Sequence, residues 1–571
     1  MGHAPGGRRR AAVLSAVATV VSLGLVASAC GSSSEGGGGS GSADEPASEV
    51  GTDITLAAEG EPTPGGSLRF GLGGETDGWN PTVNRWTGDG TEVGLAIFDP
   101  LAAYTADGDV APYLADSFEH DEDFTEWTIG LRDGPTFHDG TPVDAAAVAK
   151  TLEGFRVSPL TSANLEPIES IETPDPLTVV VHTKVPWATL PVGFTGQAGT
   201  IAAPSQLDDP DGARNPVGSG PFEFVSWEPD TALVVERYDG YWRTDERGVQ
   251  LPYLDQVTFV PIPESDQRVN ALESGDLDMT YLVDSDAVNR ARELAADGDL
   301  QVVEQPGQTE VTFVMLNMAA PPFDDATARL AVAHATDREA YAEVIGGGAV
   351  TPARTLFRPG TEWYSDIPIP EFDPDAARQD LAEWSAAHDG QPLSFTLNIQ
   401  PTPAGLSQGR FLEEQWQAVG MEVELKQAEA TTFLLDAVMG QYQAVAWGQF
   451  GSPDPDYEQT WWRSSNAKPV GEISLNFPRH IDPATDAALD DARATDDPAT
   501  RKEAFDRVQE RLAEDLPYIY LTYLQPVVAA GNRVRGITNG PLPDGQPARP
   551  LGGPGSFSYH TFLTQTWVTD P

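Results

Sequence analysis

From Leu393 to Leu425 the spacing of apolar positions changes twice. Leu393, Phe395, Leu397 and Ile399 alternate with polar residues, the two-residue period of a half-buried strand. Phe411, Leu412, Trp416 and Val419 then fall on one face of a helix closed by Gly420, and Met421, Val423 and Leu425 alternate again. Two strands joined by a crossover helix of this length are expected to pair in parallel in one sheet. The same grammar occurs earlier in the chain. Val257, Phe259 and Pro261 end a strand, Val269 and Leu272 lie one turn apart on a helix ended by Gly275, and Met279 to Val283 resumes a strand. These units predict two α/β lobes. Between Asp99 and Pro216, "TEWTIGL" and "LTVVVHTK" read as strands and Val143 to Phe155 as a helix, which predicts an added α+β subdomain. Helix starts are well marked: Asp337 precedes "REAYAEVI", and Asp373-Pro374 and Asp497-Pro498 each put a capping side chain before a proline at the first helical position.

The N-terminus follows another pattern. Arg8, Arg9 and Arg10 precede an uncharged, apolar run from Ala11 to Ala29, the n-region and h-region of a secretory signal. Cys30 follows directly and is the single cysteine in 571 residues, so it cannot close an intramolecular disulfide. Val26-Ala27-Ser28-Ala29-Cys30 resembles a bacterial lipobox, which implies a signal peptide over residues 1–29 and acylation of Cys30. Residues 30–65 are rich in Gly, Ser, Ala, Glu, Asp and Pro, the composition of a flexible linker. Each buried acyl methylene contributes roughly 0.8 kcal/mol, so several chains on one cysteine make a durable anchor without a transmembrane helix. Nothing after Cys30 approaches a run of about 18 apolar residues. The expected location is the outer face of the cell membrane.

Composition then removes whole classes of function. With 34 Lys and Arg against 87 Asp and Glu, the net charge of −53 repels nucleic acid. About 500 residues remain after the linker, more than one hydrophobic core organises. Of the lysines only Lys150 precedes a Ser or Thr, and Ala149 stands where a phosphate-binding loop needs Gly. His138 in "FHDG" has no cysteine partner and no H-E-x-x-H helix, and Asp139-Gly140 marks that block as a turn. Ser219 in "NPVGSGPF" is flanked at the key positions by Val217 and Pro221 rather than the glycines of a nucleophile elbow. No catalytic residue, cofactor or metal site is predicted. The rival from another class is a secreted glycosidase, which requires two carboxylates fixed across a cleft.

The wording of the chain carries a further signal. "IFDPLAAYTADGDVAPYLADSFE", "EWTIGLRDGPTFHDGTPVDAAAVAKTLEGF", "NPVGSGPFEFVSWEPD", "LPYLDQVTFVPIPESDQRVNALESGDLDM", "LNMAAPPFDDATARLAVAHATDREAYAEVIGGGA", "AWGQFGSPDPD" and "RKEAFDRVQERLAEDLPYIYL" follow one another in order. Together they resemble the extracellular solute-binding proteins of family 5, the peptide- and nickel-binding proteins of ABC importers, over nearly everything from Gly66 to Pro571. The resemblance implies an α/β, two-lobed periplasmic-binding-protein fold with the ligand cleft between the lobes. Lobe I is expected over 66–312 plus 526–571, with the subdomain inserted at about 99–216, and lobe II over 313–525. Hinges are expected near Val311 to Asn317 and near Tyr523 to Val528. Implied partners are a peptide or related solute and membrane permease subunits with separate ATPases; the expected state is a monomer.

The resemblance also points to site residues. Peptide-binding relatives carry a tryptophan, then an aspartate that pairs with the ligand's amino terminus, just before an Asp-Pro. Trp447 matches the tryptophan and Asp454-Pro455 the later pair, but the aspartate position falls on Phe450 or Gly451. Asp454 or Asp456 is therefore expected to serve instead, since a buried ammonium needs a carboxylate. Arg85, Trp86 and Thr87, in the loop after the first strand, and Tyr523, where a hinge strand passes the cleft, complete the candidate set. A sugar, an amino-acid derivative or a metal chelate are the alternative ligands within the same fold.

Overall fold

The computed structural model describes residues 54–570 apart from 57–58, 85, 159–161, 305–309, 348–349 and 553–559. The signal and lipobox, with Cys30, and the candidate Arg85 lie outside these residues.

Two large sheets organise the chain. The first has eight strands in the order Ile54–Thr55, Leu300–Glu304, Val527–Gly531, Met279–Leu282, Ser67–Leu72, Gln256–Pro261, Ala232–Arg237 and Phe222–Glu228. Phe70, Val257, Phe259, Met279 and Val528 fill one face, while Leu282, Val302, Val527 and Ala529 pack under the helices Ser265–Ser274 and Ser285–Asp297 on the other. The second has six strands in the order Thr351–Pro352, Tyr518–Tyr523, Val311–Leu316, Ala444–Gln449, Ser394–Ile399 and Glu422–Gln427. Burial on both faces explains why strands such as "VTFVML" and "YIYLTY" read as continuous apolar runs rather than alternating ones. A separate four-stranded sheet, Ala115–His120, Glu126–Leu131, Thr178–Thr183 and Ile168–Asp175, packs against the helix Ala145–Val157. Its helix starts two residues later than the apolar run suggests, because Asp144 accepts a hydrogen bond from the Ala147 amide at 2.9 Å and so ends the preceding extended segment.

The two crossover units differ in how they pair. Ser394–Ile399 and Glu422–Gln427 are direct parallel neighbours, as their pattern predicts. Gln256–Pro261 and Met279–Leu282 share a sheet but do not touch: each pairs in parallel with Ser67–Leu72, which lies between them. A local pattern gives the direction of a crossover but not which distant strand enters the gap. The caps Asp337, Asp373 and Asp497 each accept a hydrogen bond from an amide in the first turn of their helices. "FHDGTP" is a tight turn: Asp139 accepts from the Thr141 amide at 2.9 Å and Gly140 takes a positive φ of 80°. The His138 ring is half-buried between the Gly218 amide, 3.3 Å from Nδ1, and the Gly220 carbonyl, 3.0 Å from Nε2, a structural role for a neutral imidazole.

The chain leaves the eight-stranded sheet after Glu304, is in the six-stranded sheet from Val311, and returns between Tyr523 and Val527. The first crossing precedes Val311, since Val311–Leu316 is already a central strand of the second sheet.

Candidate functional site

The strand Ala444–Gln449 ends in a sharp turn. Phe450 adopts a left-handed φ of 72°, uncommon for a residue with a β-carbon, and redirects the chain into Gly451, Ser452 and the short turn Pro455–Glu458. This turn meets the four-stranded subdomain along a seam. The Trp187 indole N–H donates to Asp456 at 3.0 Å, the Ala188 amide donates to the Arg493 carbonyl at 2.8 Å, and the Tyr104 hydroxyl lies 3.2 Å from that of Ser452. A β-carbon on Gly196 would come within 2.2 Å of the Tyr457 hydroxyl, so glycine is what lets the two surfaces close.

The expected acids are already engaged. Asp456 is buried and forms a two-point pair with Arg493 at 3.0 and 3.2 Å, and the Arg493 guanidinium lies 4.5 Å over the Trp187 ring. Burial pushes its pKa up, but the arginine and the surrounding donors hold it below the usual carboxylate value. Asp454 is clamped by Arg501 at 2.6 and 2.9 Å and also caps the turn through the Asp456 amide. Neither carboxylate is open to a ligand ammonium without abandoning a buried partner, which costs about 3–5 kcal/mol. Both hold the seam together instead.

The aromatic candidates divide between core and rim. Phe450 is buried, stacked on Phe313 at 5.3 Å and tilted against Trp462 at 5.3 Å. Tyr523 is buried with its hydroxyl donating to the carbonyls of Thr355 and Phe357 at 3.1 and 2.8 Å. Trp86 packs against Trp79 and Phe98 and donates its indole N–H to the Gly78 carbonyl. These three side chains build the walls rather than offer polar groups. Trp447 is half-buried, stacked on Phe433 at 5.5 Å, with its N–H on Gln449. Thr87 is exposed at the start of the helix Gly88–Ile97, and Gly451 is buried behind the turn.

The turn and the first crossing bring together acids that no motif singles out. Glu310 is 4% exposed and one of its carboxylate oxygens is fully buried without a hydrogen-bond partner. Burial first, and the nearby Glu458 second, push its pKa up to about 8. Glu458 is 1% exposed and accepts from the Ser452 amide at 3.3 Å. Ser452 leads to Tyr104, whose carbonyl accepts from the Arg549 amide at 3.1 Å. Arg549 is half-buried and its Nε has no partner; among the described residues it makes no ion pair. The seam is thus lined by two buried acids on the side of the six-stranded sheet and one unpaired cation on the other.

Comparison with known proteins places this architecture. The model of the bacterial extracellular solute-binding proteins, family 5 (middle region), matches residues 109–469. The chain belongs to this family. It is a substrate-binding protein of the ABC-importer type, and its fold is the two-lobed periplasmic-binding-protein fold. Among family 5 relatives, the glutathione-binding protein GsiB of Pectobacterium atrosepticum is 25% identical over 469 residues, covering 78% of this chain and 86% of its own. The nickel-binding periplasmic protein of Escherichia coli is 25% identical over 484 residues, covering 78% of this chain and 87% of its own. Among solved structures, the binding protein DppA of Helicobacter pylori in complex with the peptide STSA superposes with a TM-score of 0.74 at 23% identity, covering 83% of this chain and 96% of its own. Among the described residues of this family 5 member, no helix is long and apolar enough to cross a membrane.

Proposed function

We propose that this chain is the substrate-binding lipoprotein of an ABC importer, capturing oligopeptides or dipeptides by closure of two lobes and handing them to a membrane permease with separate ATPases. Cys30 is the lipid attachment point at the outer face of the cell membrane, and the two lobes, one built on the eight-stranded and one on the six-stranded sheet, rock about the crossings before Val311 and after Tyr523. One observation carries this reading: a buried carboxyl without a hydrogen-bond donor, Glu310, lies on one side of the seam and an arginine without an ion pair among the described residues, Arg549, on the other. A peptide brings an ammonium and a carboxylate to such a seam, and its contacts to both sides favour the closed form. A micromolar ligand supplies about 8 kcal/mol in total, ample to shift an opening equilibrium of a few kcal/mol. A second reading, capture of a metal chelate, is favoured by the nickel-binding relative.

The test is a thermal-shift screen of the chain from Gly31 onward against free-amine di- to octapeptides, acetylated and amidated versions, oligosaccharides and nickel chelates. Stabilisation by free-amine peptides that vanishes on acetylation supports the peptide reading. Stabilisation only by sugars or chelates sinks it.

A further inference from the structure

The second crossing is short. The strand Tyr518–Tyr523 ends in the six-stranded sheet and Val527–Gly531 begins in the eight-stranded one, so only Leu524, Gln525 and Pro526 lie between them. The first two are held from opposite sides. The Leu524 amide donates to the Glu310 carbonyl at 2.8 Å, next to the strand Val311–Leu316. Its side chain lies beside the strand Ala444–Gln449, where a β-carbon on Gly448 would stand 3.6 Å from Cδ1. Leu524 therefore moves with the six-stranded sheet. Gln525 faces the other way: its side-chain carbonyl accepts from Nη2 of Arg292 at 3.2 Å. Arg292 stands on the helix Ser285–Asp297, which packs on the eight-stranded sheet.

Arg292 is itself fixed. Nε and Nη2 donate to the two carboxylate oxygens of Glu304 at 2.6 and 2.9 Å, the forked pairing that suits a planar guanidinium. Nη1 donates to Asn289 Oδ1, one turn earlier on the same helix, at 3.2 Å. Glu304 is the last residue of its strand and stands opposite Val527 in the ladder. One guanidinium thus grips both strands where they leave the eight-stranded sheet. Proline adds a second restraint, because its ring locks φ of Pro526 and holds the preceding Gln525 extended. The torsions left soft are the two flanking the Leu524–Gln525 peptide.

We propose that the second crossing pivots at the single link between Leu524 and Gln525, and that Arg292 is the positioning residue that confines the pivot there by holding Gln525 to the eight-stranded sheet. The assignment rests on the closure reading above and goes beyond it by naming where the chain bends. Cys30 is the single cysteine, so the full chain with Cys30→Ala accepts spin labels at two introduced cysteines alone. Ala296→Cys, on the helix Ser285–Asp297, and Ala386→Cys, on the helix Pro374–Ala387, are both exposed. Double electron–electron resonance on the ligand-free protein then gives the distribution of distances between the lobes. Independent torsional variances add, so freeing a second residue widens the distribution roughly 1.4-fold. Gln525→Ala, which leaves the Arg292–Glu304 pair in place, shows this broadening, and Gln525→Glu, which keeps an acceptor for Arg292, retains the original width. No broadening in Gln525→Ala, or equal broadening in Gln525→Glu, overturns the proposal. So does faster hydrogen exchange within Leu300–Glu304 in Gln525→Ala, since that means the sheet edge has loosened rather than the pivot. The same labels, with a mixture of free-amine di- to octapeptides, separate the two readings. A distribution that no peptide shifts, but that Gln525→Ala broadens, keeps the pivot and rejects peptide capture; one that peptides shift and Gln525→Ala leaves unchanged does the reverse.

Discussion

The Trp187 indole N–H donates to a buried, ionised carboxylate across the seam at 3.0 Å, and that geometry fixes what its loss costs. In Trp187→Phe the ring still packs in the subdomain core and still lies under Arg493, but the donor is gone. Asp456 keeps Arg493, so its charge remains paired and the lobe itself stays folded. With the seam open, water replaces the indole donor, so the penalty falls on the closed form. A hydrogen bond to a charged group is worth about 1.5–3 kcal/mol, which lowers the ratio of closed to open roughly 10- to 150-fold. The Ala188 amide reports this directly, because its partner is the Arg493 carbonyl across the same seam. Native-state hydrogen exchange at Ala188, corrected for the changed neighbour, accelerates by that factor, whereas amides within Val311–Leu316, buried in the six-stranded sheet, keep their wild-type rates. Unchanged exchange at Ala188 refutes the reasoning. Equal acceleration at every site refutes it too, since that means the substitution destabilised the whole fold rather than the seam.

Other consequences follow from single residues. Glu310 is an acid whose folded pKa is raised from 4.5 to about 8, so the stability tied to its protonated form is complete below about pH 4.5 and is lost as pH rises to about 8; urea denaturation across this range falls less steeply in Glu310→Gln. His138 has the opposite sign: burial lowers its pKa from 6.5 to about 4, so stability is lost as pH falls through this window, and a histidine NMR titration finds its ring neutral at pH 6. Gly196→Ala drives a methyl into the Tyr457 hydroxyl and speeds Ala188 exchange, and Tyr457→Ala in the same chain restores the wild-type rate. Cys30→Ala abolishes acyl labelling in cells and releases the protein from the membrane fraction; retention in that fraction contradicts the lipid anchor.

How much of this was legible in the sequence depended on the range of the interaction that sets each feature. Periodicity and caps are local, so the crossover from Leu393 to Leu425 and the helices after Asp337, Asp373 and Asp497 were readable directly. The insertion of Ser67–Leu72 between Gln256–Pro261 and Met279–Leu282 was not, because strand order is decided by packing between segments some 200 residues apart. The candidate site divides the same way. That Phe450 and Gly451 break the expected pattern is visible in the residues themselves; that Asp454 and Asp456 cannot fill the gap depends on Arg501 and Arg493, brought in by the helices Pro498–Asp515 and Pro483–Arg493. Glu310 was the least visible. Among 87 acidic residues it is one more charge at the start of a strand, and only the crossing of two backbone segments turns it into a buried group without a partner. An acid's identity therefore says little about its role, whereas its desolvation against its partners says a good deal: Asp456 is buried and paired with Arg493, which stabilises the seam as a charged contact, and Glu310 is buried without a hydrogen-bond donor for one oxygen, so burial pushes its pKa up to about 8 and favours the neutral acid.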